Sequence, residues 1–255
     1  MPKRVIVVDI GNTSTSVGVY AGGRVTHLTY GPTHGRPAGA IERMLKQVAG
    51  RPCPDGLALA SVVPAVNRAW RKAARAMWPG LDIRELHHRL DLGIRLDYPR
   101  PDTLGVDRLC NASAALARFG APVIVCDFGT ATTFDVVASD GRFVGGVIAP
   151  GPALMFDYLF EKTALLPRTS DAPIRHPVGR STREAIRMGA RWGYRGMVRE
   201  ILWQLIKGLG HTRVEVCATG GYASKLQREL GIPLKVAPDL TLWGIGRIYE
   251  RNART

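Results

Sequence analysis

Short apolar runs alternate along the chain with longer segments patterned at helical spacing. Val5–Val8, Leu57–Val63 and Val123–Cys126 are almost continuously apolar and too short for helices, which predicts buried strands. Val214–Ala218 reads the same way. Val17–Tyr20 and Arg24–Thr29 follow the first run closely and predict a meander, and Ile83–Leu86, Gly93–Tyr98 and Phe143–Ile148 are further strands. Ile41, Met44, Leu45 and Val48 mark one face of a helix ending at Gly50. Pro64 opens a second helix, stopped by Pro79-Gly80. An alanine-rich helix runs to Phe119, and another covers roughly Ala153–Leu165. Ser181 and Glu184 have capping-box spacing, so a helix starts near Thr182. On it, Gly189 and Gly193 sit one turn apart and would permit close approach of another backbone. A last helix runs through Ile248. The pattern is mixed α/β.

One stretch is written twice. Val5–Val8 leads into Asp9-Ile10-Gly11-Asn12-Thr13-Ser14-Thr15-Ser16, and 118 positions later Val123–Cys126 leads into Asp127-Phe128-Gly129-Thr130-Ala131-Thr132-Thr133. Each copy places a carboxylate, a glycine and hydroxyl donors at the end of a buried strand. Glycine lets backbone approach a ligand, and Ser/Thr hydroxyls suit phosphate oxygens and a hydrated cation. A carboxylate alone repels phosphate, so Asp9 and Asp127 need a metal, its water shell or a proton between them and the anion. The plain alternative is two ordinary strand-to-turn junctions, where Asp and Gly are common. Two copies in equivalent strands instead point to two related domains facing each other across a nucleotide. That plan resembles the actin, sugar-kinase and Hsp70-like superfamily, and implies two duplicated ribonuclease H-like domains, residues 1–117 and 118–255, with a cleft between them.

With 255 residues there is room for two ordinary domains, each with its own core. A hydrophobic content of 45% with 22% charged residues is that of a folded chain and excludes a disordered one. No apolar run approaches the ~20 residues of a membrane helix, and Asp9 and Gly11 cut the first run too early for a signal peptide. A cytoplasmic protein with no membrane partner is expected. Cys53, Cys110, Cys126 and Cys217 form no CxxC pair, so no zinc or redox motif is expected, and Cys110 and Cys126 read as buried thiols. His87-His88 has no metal spacing and reads as surface.

The formal charge of +14 favours anionic partners without choosing among them. Arg68, Arg71, Lys72 and Arg75 stand at i, i+3, i+4 and i+7, opposite Val66, Trp70, Ala73 and Met77. Such a stripe could follow a phosphate backbone or simply face water. No aromatic is interleaved with the charges and no nucleic-acid module surrounds them, so specific nucleic-acid binding is not expected. Leu104-Gly105-Val106-Asp107-Arg108 carries a second ambiguity. Asp107 reads as a helix N-cap with Arg108 on the surface. The same pair at a helix mouth also makes a substrate clamp, with a proton acceptor beside a fork that matches a carboxylate or phosphate.

Taken in order, these pieces resemble the type III pantothenate kinases. The match runs from Asp9–Thr13 to Pro238-Asp239-Leu240-Thr241-Leu242. Between them lie Ser61–Pro64, Gly105–Arg108, Asp127–Ala131, Gly145–Gly151, Thr182–Ile186 and Thr219-Gly220-Gly221. The resemblance implies ATP-dependent phosphorylation of pantothenate to 4′-phosphopantothenate, the first step towards coenzyme A. It implies that Asp9, Ile10, Gly11, Asn12, Thr13, Ser14, Thr15 and Ser16 hold ATP phosphates together with Thr130. Gly105, Val106, Asp107 and Arg108 would hold pantothenate, with Asp107 as general base and Tyr98 and Thr182 as further substrate contacts. Asp127 would hold a monovalent cation, potassium or ammonium, with magnesium accompanying ATP. A homodimer is implied as well.

Some positions depart from the family pattern. Val106 replaces the usual Ala, and Pro99-Arg100-Pro101 follows Tyr98 in place of Asn-Pro. Met155, Phe156, Tyr158 and Phe160 are bulkier than usual, which bears on the dimer contact or pocket shape. A non-catalytic transcriptional accessory protein on the same fold is the alternative. It would be favoured by loss of Asp9, Asp107 or Asp127, and all three are present.

Overall fold

The computed structural model describes residues 3–50, 52–211 and 213–253. Its first sheet contains β1 (Val5–Ile10), β2 (Ser14–Ala21), β3 (Arg24–Pro32), β4 (Gly56–Ser61) and β5 (Asp82–Glu85), in spatial order β3-β2-β1-β4-β5. Its second contains β7 (Val123–Phe128), β8 (Ala131–Val137), β9 (Arg142–Pro150), β10 (Glu215–Thr219) and β11 (Lys235–Val236), in order β11-β10-β7-β8-β9. Read from their third strands, the two orders are the same. In both, the first strand pairs antiparallel with the second and parallel with the fourth.

A short strand from the first half of the chain, β6 (Arg95–Leu96), adds to β9 at the edge of the second sheet. It is shorter than the run Gly93–Tyr98 suggests. Beyond Leu96, the Tyr98 ring turns onto Phe143, with centroids 6.1 Å apart.

The helices make the layers. On the outer side of the first sheet, α1 (Ala40–Ala49) and α2 (Pro64–Met77) bury Met44, Leu45, Val48 and Trp70 against Ile6, Val8 and Ile10. On the outer side of the second, α5 (Thr182–Leu209) and α6 (Ala223–Leu230) bury Tyr194, Val198 and Leu226 against Ile124, Cys126 and Phe128. Between the sheets lie α3 (Val106–Phe119) and α7 (Leu240–Asn252). These two cross closely: a Cβ on Gly244 would lie 2.2 Å from the Cys110 carbonyl oxygen, so only glycine fits there. The last helix, α7, packs on β1, β2 and β4 of the first sheet, while α3 packs on β7 and β8 of the second and also reaches β4 of the first. The expected division at 117/118 falls inside α3.

This layering accounts for the continuously apolar strands. Strand side chains alternate between faces. Val5 and Val7 enter the middle core, while Ile6 and Val8 enter the outer one. Val123 and Val125 likewise face the middle, with Ile124 and Cys126 facing out. Both faces are covered, so both must be apolar. Asp9 continues the Val5–Val7 face and Asp127 the Val123–Val125 face. Both carboxylates are therefore aimed at the middle layer, where α3 begins.

The basic stripe of α2 is a solvated face. Arg68, Lys72 and Arg75 are exposed, and Arg71 pairs with Glu85 at 2.5 Å. Cys110 and Cys126 are buried, as their apolar contexts suggest. Of the paired histidines, His87 is exposed and His88 half-buried. A Cβ on Gly189 would meet none of the described residues outside its own helix turn within 4 Å, and one on Gly193 only the Met155 side chain. The close backbone approach expected at these glycines is therefore absent among the described residues.

Candidate active site

The end of β1 turns tightly into β2, with the Gly11 N–H donating to the Ser14 carbonyl at 3.0 Å. The end of β7 repeats the turn, with the Gly129 N–H donating to Ala131 at 3.1 Å. Between the two turns lies a cleft of about 420 Å³. Asp9, Gly11, Asn12, Thr13, Ser14, Ser16, Asp107, Asp127 and Thr130 all line it, and so do Gly220 and Gly221 from the β10–α6 turn.

Other residues singled out in the sequence lie elsewhere. Ile10 is buried in the outer core. Thr15 is fully buried, its hydroxyl 3.0 Å from that of Thr33, which donates to the Gly11 carbonyl at 2.6 Å. Thr15 thus braces the loop from behind. Val106 is a core residue, and Gly105 caps α3. Tyr98 packs on Phe143, outside the cleft lining. Thr182 opens α5 and lines a separate apolar groove with Leu154, Met155, Tyr158 and Gly189.

Asp107 is not an N-cap. Gly105 holds that position, and Asp107 is the second residue of the helix, its Oδ1 accepting from the Arg108 N–H at 2.8 Å. Arg108 is not a surface residue either. Its Nε donates to Asp135 Oδ1 at 2.6 Å, and Asp135 is completely buried. The fork offered to a substrate anion already holds an internal partner. A charged residue within Phe134-Asp135-Val136-Val137 was the available signal, because buried carboxylates are almost always paired.

Two further residues complete the site. Asn111 lies four positions after Asp107, on the same helix face, and donates to Asp127 Oδ2 at 3.0 Å. Thr241, within the Pro238–Leu242 segment, donates to Asn111 Oδ1 at 2.7 Å. The spacing of Asp107 and Asn111 was visible in the sequence, but nothing there singled out the asparagine.

The cleft is acidic at its floor. Burial, then the nearby charges of Asp107 and Asp127, push the Asp9 carboxyl well above the usual range. Burial and Asp107 push Asp127 up to about 6, against the stabilising Asn111 hydrogen bond. Burial also raises Asp107, partly offset by the Arg108 N–H and guanidinium. Asp107 raises both of the others and Asp127 also raises Asp9, so three buried carboxylates at one floor call for positive charge. Among the described residues, no group of three or more His, Cys, Asp or Glu side chains is placed to hold a metal ion. The oxygen-only donors fit a hard cation that keeps part of its water shell and shares phosphate oxygens, as magnesium does.

A family model described as type III pantothenate kinase matches residues 5–204. The type III pantothenate kinase of Thermomicrobium roseum is 36% identical over 98% of this chain and 98% of its own length. That of Akkermansia muciniphila is 44% identical over 75% of this chain and 76% of its own. Among solved structures, component A of the (R)-2-hydroxyglutaryl-CoA dehydratase of Acidaminococcus fermentans superimposes with a TM-score of 0.54 at 12% identity, over 97% of each chain. A protein from Campylobacter jejuni assigned to the Baf family of transcriptional activators gives 0.61 at 17% identity, over 97% of this chain and 98% of its own. These two likenesses speak for the fold alone, the actin-like arrangement of two similar sheets around a cleft. From the family match and the full-length relatives together, the chain belongs to the type III pantothenate kinase family.

Proposed function

We propose that this protein transfers the terminal phosphoryl group of ATP to the hydroxyl of pantothenate, the first step of coenzyme A synthesis. The observation that carries this reading is the meeting of Asp9, Asp107 and Asp127 with two hydroxyl-bearing loops at one cleft. Phosphoryl transfer asks mainly for in-line placement and neutralised charge. Backbone amides and hydroxyls of Gly11–Ser14 and Thr130 are suited to phosphate oxygens. Asp107, at the mouth of α3, is the base that accepts the proton of the attacking hydroxyl, and its raised pKa brings it closer to the working pH of a base.

Magnesium bound with ATP would supply positive charge between the phosphates and Asp9, and a monovalent cation, potassium or ammonium, would do the same at Asp127. Arg108, oriented by Asp135, and Tyr98, resting on Phe143, lie beyond the cleft lining and would form a wall for pantothenate beside it. Thr182 lies outside the cleft, in the groove with Leu154 and Tyr158, so it reaches substrate only in an assembly. Tyr158, Phe160 and Leu165 are exposed beside that groove, and Gly189 opens into free space. This supports a homodimer built on α5 and the preceding helix, α4 (Leu154–Lys162). No helix among the described residues is long and apolar enough to cross a membrane, and we place the activity in the cytoplasm.

Pantothenate-dependent release of ADP, with magnesium and potassium present, is the deciding measurement. Release that does not depend on pantothenate, or none at all, would remove this reading.

A further inference from the structure

Asn111 is completely buried, yet its side chain reaches the cleft carboxylate. It joins three elements: Asp127 is the last residue but one of β7, Asn111 sits on α3, and Thr241 lies in the first turn of α7, the helix packed on the other sheet. The amide has two unlike ends. Its nitrogen can only donate and its oxygen can only accept. Turning it over would set the amide oxygen against the Asp127 carboxylate, two acceptors with no proton between them, so the amide oxygen is left facing Thr241. The hydroxyl of Thr241 must therefore be the donor, and the hydrogen bonds run one way, from Thr241 through Asn111 to Asp127.

The two oxygens of Asp127 are thereby made unequal. Oδ2 is taken by Asn111 at 3.0 Å. Oδ1 faces the backbone of Gly220, where a Cβ would come within 2.5 Å of it, at a residue with φ of +87°. Gly220 and Asp127 both line the cleft, and the absence of a side chain at residue 220 leaves Oδ1 uncovered on that side.

We propose that Asn111, oriented by Thr241, is a positioning residue that fixes the Asp127 carboxylate so that one oxygen is presented to a monovalent cation. This rests on the assignment of Asp127 as the cation-holding residue. Groups that hydrogen-bond to a ligating carboxylate typically set about 10–100-fold of metal affinity. Thr241 lies on the helix of the other sheet, so seating of α7 and cation affinity become linked.

The test uses Thr241→Val, which removes the donor at nearly constant shape, Thr241→Ala, which removes it without a new methyl, and Thr241→Ser, which keeps it. Two measurements are made on the full chain. One is the potassium chloride concentration for half-maximal turnover with saturating magnesium-ATP and pantothenate. The other is the potassium-dependent rise in melting temperature with magnesium-ATP and no pantothenate, which reads binding without turnover. Thr241→Val and Thr241→Ala should raise half-saturating potassium about tenfold and shift the melting response by the same factor. Thr241→Ser should restore both curves. A folded Val or Ala variant with the parent potassium curve overturns the proposal, as does a uniform fall in kcat with half-saturation unchanged, the mark of a merely structural role. A parent enzyme without any potassium response would instead remove the assignment of Asp127, and this proposal with it.

Discussion

The hydroxyl of Thr130 donates to the hydroxyl of Thr13 at 3.0 Å, across 117 positions of sequence. The two residues occupy the loops that follow β1 and β7. Their contact bridges the two loops, and both copies of the Asp-x-Gly stretch line a single cleft. Both hydroxyls are exposed, and each can exchange this bond for a ligand oxygen.

Asp107 separates a helix-start role from a chemical one. Asn at the same place still accepts from the Arg108 N–H, so Asp107→Asn should change the melting temperature little. Loss of the base should lower kcat by about 10²–10⁴-fold. Near-parent turnover in a stable variant would leave Asp107 as a residue of the helix start and nothing more.

Burial raises the Asp107 carboxyl above its ordinary value. A base must be deprotonated to work, so kcat/KM should fall as pH drops through that raised value. The acid limb therefore lies above the ~4 of a free carboxylate. An acid limb at or below that value would contradict the burial seen around α3.

Asp127 should be a stability cost in the absence of cations. Its folded-state pKa, about 6, stands above the usual 3.8, so the folded state binds the proton more tightly than the unfolded one. Stability from this group falls as pH rises between those values, and the cost is complete above about 6. Asp127→Asn should therefore be more stable than the parent at alkaline pH, by on the order of 2–3 kcal/mol, and the gap should close near pH ~4. Melts of both proteins across pH, without nucleotide, decide it; a gap independent of pH would refute it.

Asp135→Asn leaves the Arg108 guanidinium buried without its counter-charge. Breaking a buried pair from one side costs about 3–5 kcal/mol. At a temperature where the variant remains folded, KM for pantothenate should rise while KM for ATP holds. Equal changes in both constants would place Arg108 outside the acceptor wall.

The exposed charges of α2, Arg68, Lys72 and Arg75, should give only non-specific duplex binding. Such binding weakens by orders of magnitude between about 50 and 200 mM salt. Tight, sequence-selective binding at physiological salt, lost on Arg68→Glu with Arg75→Glu, would revive the transcriptional alternative.

Much of this protein is legible without coordinates, because strand periodicity is local. The runs at Val5 and Val123 are apolar on both faces, and that alone requires covered sheets. The Asp-x-Gly endings, the helix faces of α1 and α2, and the capping of α5 by Ser181 follow from spacings of two to four residues. Short-range steric and hydrogen-bonding preferences decide such features. Which sheet α3 and α7 serve, the capture of Arg108 by Asp135, and the line from Thr241 through Asn111 to Asp127 were decided only by the tertiary structure. Each joins residues 16 to 130 positions apart. A polar side chain within an apolar stretch says that it needs a partner, but not which one; only the packing of distant elements brings that partner within hydrogen-bond reach.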